Sequence, residues 1–236
     1  MKDTIYKETS EPIKPFEFNQ RVVDVFPDMI ARSVPGYPLT ISMMSVMAND
    51  YIQEGSHVYD LGCSLGAVSL AIQQGLKEKQ CKIIAADNSK AMIDDCVKNI
   101  SCEHIEFVQD DILNIEIRNA SLVVMNFTLQ FIPLEQRNAL LKKICQGLLP
   151  GGALILSEKI KFDNKAEDKT MNQLHHAMKE LNGYDKLEIA SKREALENVL
   201  VPETIDTHLQ RLNDSGFDNV FMWLKCFSFA SLVAIK

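Results

Sequence analysis

The sequence predicts an α/β fold: a seven-stranded mixed sheet with a helical N-terminal cap and a helical insert. Three observations predict it. After residue 56, short apolar runs alternate with helical patterns, the rhythm of βαβ units. Runs such as L-V-V-M (122–125) and A-L-I-L (153–156) are apolar at every position, as strands covered on both faces are. The chain then ends in two β-rich runs, V-F-M-W-L and F-A-S-L-V-A-I, which predict an antiparallel last strand.

Residues 1–15 are polar, with two prolines, and are expected to form a mobile tail. Residues 16–236 form one domain in this reading. Its helical segments are 16–52 and 163–215. Residues 16–33 have helical periodicity interrupted by Pro27, and S-V-P-G-Y-P is a turn by composition. The next helix places Leu39, Met43, Met44 and Met47 on one face. The alternation follows as strand 57–61, helix 66–77, strand 81–86, helix 89–100, strand 104–108, strand 121–126, helix 134–148 and strand 153–158. Pro150-Gly151-Gly152 marks the step into the last of these. The charged helical stretch 163–215 breaks the rhythm and reads as a lid or dimerisation insert.

Composition narrows the function. A formal charge of −7 argues against a broad nucleic-acid surface, so no direct nucleic-acid partner is expected. The six cysteines show no C-x-x-C spacing, and most sit in apolar strands or helices, where cysteine behaves as a small hydrophobe. His175 and His176 are adjacent in a helix, so their side chains diverge by about 100° and cannot share one metal ion. No metal is expected. With no signal peptide and no apolar run long enough to span a bilayer, a cytoplasmic, membrane-free protein is expected.

The most informative stretch is V-Y-D-L-G-C-S-L-G, residues 58–66. A strand ending in Asp60 runs through a glycine-bearing turn into a helix, which builds a nucleotide cradle. Gly62 allows a close backbone approach, and Gly66 lets the helix pack tightly. The segment K-I-I-A-A-D-N ends in a second acid, Asp87, 27 residues after Asp60. Neither G-x-G-x-x-G nor G-x-x-x-x-G-K-[ST] occurs. The pattern D-x-G-x-x-x-G with a following strand-end acid resembles the S-adenosylmethionine (SAM) site of Rossmann-like methyltransferases.

On that reading Asp60 and the Gly62-Cys63-Ser64 turn hold the methionine end of SAM, with main-chain N–H groups facing its carboxylate. Many such enzymes have glycine where this chain has Ser64; serine predicts an ordinary φ there. Asp87 and Asn88 bind the ribose and the adenine edge, with Ser89 as helix N-cap. Asp111 and Ile112 bracket the adenine. Asn126 ends a central strand, where substrate groups belong, and the N-F-T-L that it opens is not the N/D-P-P-Y/F of amino-group DNA methylation. Lys192 and Arg193 form a small cation pair of the kind usually found on a solvated helix face.

A closer resemblance runs from about Phe18 to the C-terminus. It rests on V-F-P-D-M-I-A-R-S-V-P-G-Y, V-Y-D-L-G-C-S-L-G-A, K-I-I-A-A-D-N-S, N-F-T-L-Q-F, N-G-Y, K-R-E-A-L-E-N-V and the ending S-L-V-A-I-K. In these the chain resembles the carboxy-S-adenosyl-L-methionine synthases, bacterial members of the SAM methyltransferase superfamily. The resemblance implies that SAM is a substrate and prephenate its partner substrate. The products are carboxy-SAM and phenylpyruvate, and carboxy-SAM then serves a second enzyme that modifies a wobble uridine in tRNA. Prephenate loses its ring carboxyl group as CO2 and aromatises, while the SAM methyl group loses a proton and captures the CO2. The matched site residues are Tyr37, Gly62, Cys63, Ser64, Asp87, Asn88, Asp111, Ile112, Asn126 and Arg193. Arg193 is expected to bind the new carboxylate and to act in catalysis. A homodimer is also implied. Two other readings use the same cofactor site: an ordinary small-molecule methyltransferase, and a non-catalytic SAM-binding protein.

Overall fold

Three helices precede the sheet: α1 (Gln20–Val23), α2 (Phe26–Ser33) and α3 (Tyr37–Tyr51). They are seen in a computed structural model that describes residues 1–7, 12–76 and 79–236. Pro27 does not interrupt a helix. It opens α2, where a missing N–H has no intrahelical partner to lose. The buried face of α3 is Thr40, Met44 and Ala48, spaced four apart. Met47 packs at its border, but Leu39, expected on this face, is 48% exposed.

The alternation then runs β1 (Ser56–Leu61), α4 (Ala67–Gly75), β2 (Cys81–Asp87), α5 (Lys90–Asn99), β3 (Ile105–Gln109) and β4 (Ala120–Asn126). After a 3-10 turn at Leu129–Phe131 come α6 (Leu134–Gly147) and β5 (Leu148–Lys159). The expected end of α4 at Lys77 lies outside the described residues. β5 is continuous through Pro150-Gly151-Gly152, but its pairing with β4 shifts register there and runs unbroken only from Ala153, as the motif predicts; the Gly151 amide donates to the Lys236 carbonyl. Then come α7 (Lys165–Leu181), α8 (Lys186–Leu196), α9 (Ile205–Asp214), β6 (Asn219–Cys226) and β7 (Phe229–Ile235).

The seven strands lie in the order β3-β2-β1-β4-β5-β7-β6, a Rossmann-like sheet. β7 is antiparallel to both its neighbours, as expected for the last strand. On one face, Leu61, Val123, Met125 and Leu156 meet Leu140, Leu141 and Ile144 of α6 and Leu212 of α9. On the other, Val58, Leu122, Val124 and Ile155 meet Met44 and Ala48 of α3 and Ile72 of α4. The insert is therefore two things: α9 closes the sheet's core, and only α7 and α8 belong to the cap. Strand order reverses between β1 and β4, so their carboxyl ends frame the crevice where this architecture binds ligands.

The expected tail is tied down at its start. The Asp3 side chain is buried and accepts the Tyr184 hydroxyl at 2.5 Å, while its amide donates to Asp28 at 2.6 Å. A buried carboxylate needs such partners; besides Tyr184, the Ile5 amide donates to Asp3 Oδ1 at 3.2 Å and Lys192 of α8 lies 3.8 Å from Oδ2. Residues 8–11 of the expected tail lie outside the described residues. Among the described residues no helix is long and apolar enough to cross a membrane, and no group of three metal-ligating side chains occurs.

Candidate active site

Asp60 is the penultimate residue of β1, and the strand's period of two puts its side chain on the face of Val58, toward α3 and α4. One carboxylate oxygen, Oδ2, accepts the Ser69 amide (3.1 Å) and hydroxyl (2.7 Å) from the first turn of α4. The other, Oδ1, is buried without a partner among the described residues. Burial pushes the Asp60 carboxyl up to about 7; the Ser69 bonds oppose this and the charge of Asp87 adds to it.

The turn after Asp60 differs from expectation in what its amides do. Gly62 N–H and Cys63 N–H both donate to the Ala86 carbonyl, at 2.8 and 3.0 Å. Ser64 N–H donates to Asp87 Oδ2 at 2.9 Å. The three donors expected to face a ligand carboxylate instead tie the turn to the end of β2. Ser64 also departs from the ordinary φ expected: it is left-handed, at 50°. Gly62 has φ 80° and lies against Thr128, where an added Cβ would come within 2.4 Å of the side chain.

Asp87 takes a second amide, from Ser89, on Oδ1 at 2.9 Å. Burial raises its pKa against the pull of both amides. Each oxygen keeps a lone pair, enough for two hydroxyl donors. Asn88 is exposed beside it, and Ser89 caps α5 as expected. Asp111 is exposed and accepts the Leu113 amide at 2.9 Å. Ile112 is 5% exposed and sunk in the core on the α6 side, so little of it is offered to a ring.

Asn126 ends β4 on the same face as Asp60, and its Oδ1 is likewise buried without a partner among the described residues. Two buried acceptors lacking donors, at the ends of adjacent strands, fit the ammonium group of SAM's methionine end. Tyr37 opens α3 over this point. Burial raises its phenol, and the charge of Asp60 adds to that. Its ring begins a row: Tyr37 to Phe127 at 6.4 Å, Phe127 to Phe229 at 5.9 Å, Phe229 to His175 at 4.9 Å.

Sequence reasoning missed Phe127 and Glu158. Phe127 is left-handed (φ 63°), with its amide held by the Ser157 carbonyl at 2.7 Å. Glu158 is buried and accepts the Leu129 and Gln130 amides at 2.9 and 2.8 Å, so it holds the loop after Asn126. Burial pushes Glu158 up to about 8 despite those bonds. The signal was an acid at the end of an otherwise apolar strand.

The cation pair divides. Lys192 is buried, not solvated: its Nζ donates to Ser33 Oγ at 3.0 Å and lies 3.8 Å from Asp3 Oδ2. His175 is buried too, with Nε2 donating to the Ser33 carbonyl at 2.7 Å. Arg193 is exposed on α8 and lines a cavity of about 570 Å3 with His176, Glu180 and Glu194. Its charge lowers the pKa of Lys159 and of His176. The structure therefore brings Tyr37, Asp60, Asp87, the Gly62-Cys63-Ser64 turn and Asn126 together, and sets Arg193 on the cap beyond them.

A family profile described as a methyltransferase domain matches residues 58–152. Among solved structures, a putative S-adenosyl-L-methionine-dependent methyltransferase from Methanococcus maripaludis aligns with a TM-score of 0.61 at 21% identity, covering 97% of each chain. Human N-acetylserotonin methyltransferase in complex with SAM aligns with a TM-score of 0.61 at 15% identity, covering 92% of this chain and 55% of that one. These likenesses show the fold. The chain is 50% identical over 238 residues to the carboxy-S-adenosyl-L-methionine synthase of Shewanella oneidensis, covering 99% of this chain and 98% of that one. It is 50% identical over 240 residues to the enzyme of that name from Pseudoalteromonas translucida, covering 100% and 99%. With likeness of that depth along its whole length, the chain belongs to the carboxy-S-adenosyl-L-methionine synthase family, enzymes of the transferase class.

Proposed function

We propose that the enzyme converts SAM and prephenate to carboxy-SAM and phenylpyruvate, and that carboxy-SAM feeds wobble-uridine modification of tRNA. The observation that carries the reading is Arg193: an exposed guanidinium on the cap, within electrostatic reach of Lys159 at the end of β5. Transfer of a methyl group needs no such cation. Capture of CO2 creates a carboxylate, and an arginine grips one through two parallel hydrogen bonds.

When bound, SAM supplies a sulfonium that acidifies its methyl protons. Tyr37 and Phe127 give that cation an aromatic wall. Asp60 and Asn126 orient the methionine end, and Asp87 takes the ribose hydroxyls. Arg193 steadies charge developing on the captured CO2. Proton balance needs no protein base: prephenate dianion gives phenylpyruvate, CO2 and hydroxide, and the hydroxide takes the methyl proton.

The enzyme acts in the cytoplasm as a homodimer in this reading. Leu39 and Val46 on the outer side of α3, and Phe221 and Met222 on the edge strand β6, are about half exposed and offer apolar surface to a second copy. The test of the reaction is mass spectrometry of SAM incubated with purified enzyme, with and without prephenate. A species heavier than SAM by one CO2, formed only with prephenate, is expected. Its absence would refute the reading.

A further inference from the structure

Beyond Arg193, two lysines of the same neighbourhood have no role in the site described above. Lys159 is the last residue of β5. It lies two positions beyond Ser157, which pairs with Asn126. Lys159 thus shares Asn126's side of the sheet, roughly 7 Å further out along the strand. Lys179 is three residues after His176 on α7, hence on the same side of that helix. His176 and Arg193 line one cavity.

These cations press on one another. Burial lowers the Lys159 pKa and Arg193 lowers it further; Asp168 opposes both. Lys179 is pushed down to about 7, first by burial and then by the charges of Lys192 and Lys159. Among the described residues neither Lys159 nor Lys179 has an ion-pair partner, whereas the deeper Lys192 has Asp3. Gathering uncompensated, part-buried cations destabilises the ligand-free fold through desolvation and repulsion. A bound anion reverses both terms. The aromatic row Tyr37–Phe127–Phe229–His175 runs from Asp60 toward α7, packing the methionine end and the cation-bearing helix against one another.

We propose that Lys159 and Lys179 bind the carboxylate that the donor keeps, on its 2-oxo acid side chain, leaving Arg193 for the carboxyl group that is transferred. The inference rests on the reading of the donor as prephenate. That donor carries two carboxylates, one of which leaves as CO2 while the other remains on phenylpyruvate. Two separated cationic points are what such a molecule requires. Anchoring the retained carboxylate holds the ring body in place while CO2 is released toward the SAM methyl group.

The experiment is calorimetric titration of phenylpyruvate into SAM-loaded wild type, Lys159→Gln, Lys179→Met and Arg193→Ala. Each lysine variant is expected to bind phenylpyruvate about tenfold or more weakly. SAM affinity should stay within about twofold of wild type. In turnover, the lysine variants should raise the KM for prephenate more than they lower kcat. Arg193→Ala should keep its phenylpyruvate affinity. The lysine variants should melt at or above the wild-type temperature, because each removes an unpaired cation. Phenylpyruvate that fails to bind wild type, or binds the lysine variants equally well, would overturn the proposal, as would lysine variants that melt lower. If phenylpyruvate binding depends on both lysines but prephenate yields no carboxy-SAM, the anion site stands and the prephenate reading falls.

Discussion

Asp87 accepts the amide of Ser64 at 2.9 Å, across the gap between the end of β2 and the turn after β1. The acid is therefore part of the frame, besides being the residue proposed to take the ribose hydroxyls. Asp87→Ala removes the acceptor of two amides, Ser64 and Ser89, and should lower stability by about 1–3 kcal/mol. It should also weaken SAM binding by about 1.5–3 kcal/mol, the range for hydrogen bonds to a charged group. Urea unfolding and calorimetry measure the two separately. Lost stability with unchanged SAM affinity would reject the ribose assignment.

The contact between Gly62 and Thr128 gives a second prediction. In Gly62→Ala the new methyl group would fall 2.4 Å from Thr128 Cγ2, on a residue with φ 80°. A loss of about 2–4 kcal/mol is expected from overpacking plus left-handed strain. Thr128→Ala removes the two closest atoms and should recover part of it in the double variant; simple additivity would show that the clash is not the cause. Ser64→Gly, by contrast, should leave stability unchanged or raise it by up to about 1 kcal/mol, since φ 50° suits glycine.

Glu158 should make the ligand-free enzyme pH-dependent. Its carboxyl is raised from the usual range to about 8, chiefly by burial. A raised acid binds its proton more tightly when folded than when unfolded. Its contribution is full below the unfolded pKa and is lost as pH rises toward 8. Glu158→Gln cannot titrate. The stability difference between variant and wild type should shift in the variant's favour from pH 5 to pH 8, by no more than about 1.4 kcal/mol per unit. Urea midpoints across that range measure it. A constant difference would mean that Glu158 is ionised throughout.

Arg193 should separate product from substrate. Arg193→Ala is expected to weaken carboxy-SAM binding by about 1.5–3 kcal/mol and SAM binding far less, because only the former carries the extra carboxylate. Arg193→Lys should recover part of the loss, since an ammonium lacks the planar fork. Calorimetry with both ligands reads the split. Equal losses for the two would favour an ordinary methyl-transfer site.

The sequence by itself determined the sheet, its seven strands and the cradle. Continuous apolar runs and the Asp60–Gly62–Gly66 pattern depend on neighbours in sequence, and local periodicity reports those. The motifs of the family likewise lay open in the chain, down to K-R-E-A-L-E-N-V. Only the tertiary structure decided what the polar groups of the cradle do. The Gly62 and Cys63 amides turn to Ala86 because β2 lies beside β1, a pairing between residues 23 or more apart in sequence. The structure also decided that Asp3 docks beneath α8, that α9 leaves the cap to close the core, and that Lys159 lies within electrostatic reach of both Lys179 and Arg193. Residues on β5, α7 and α8 share no local pattern. Their charges come together only when the chain folds back, and a one-dimensional reading carries no signal for that.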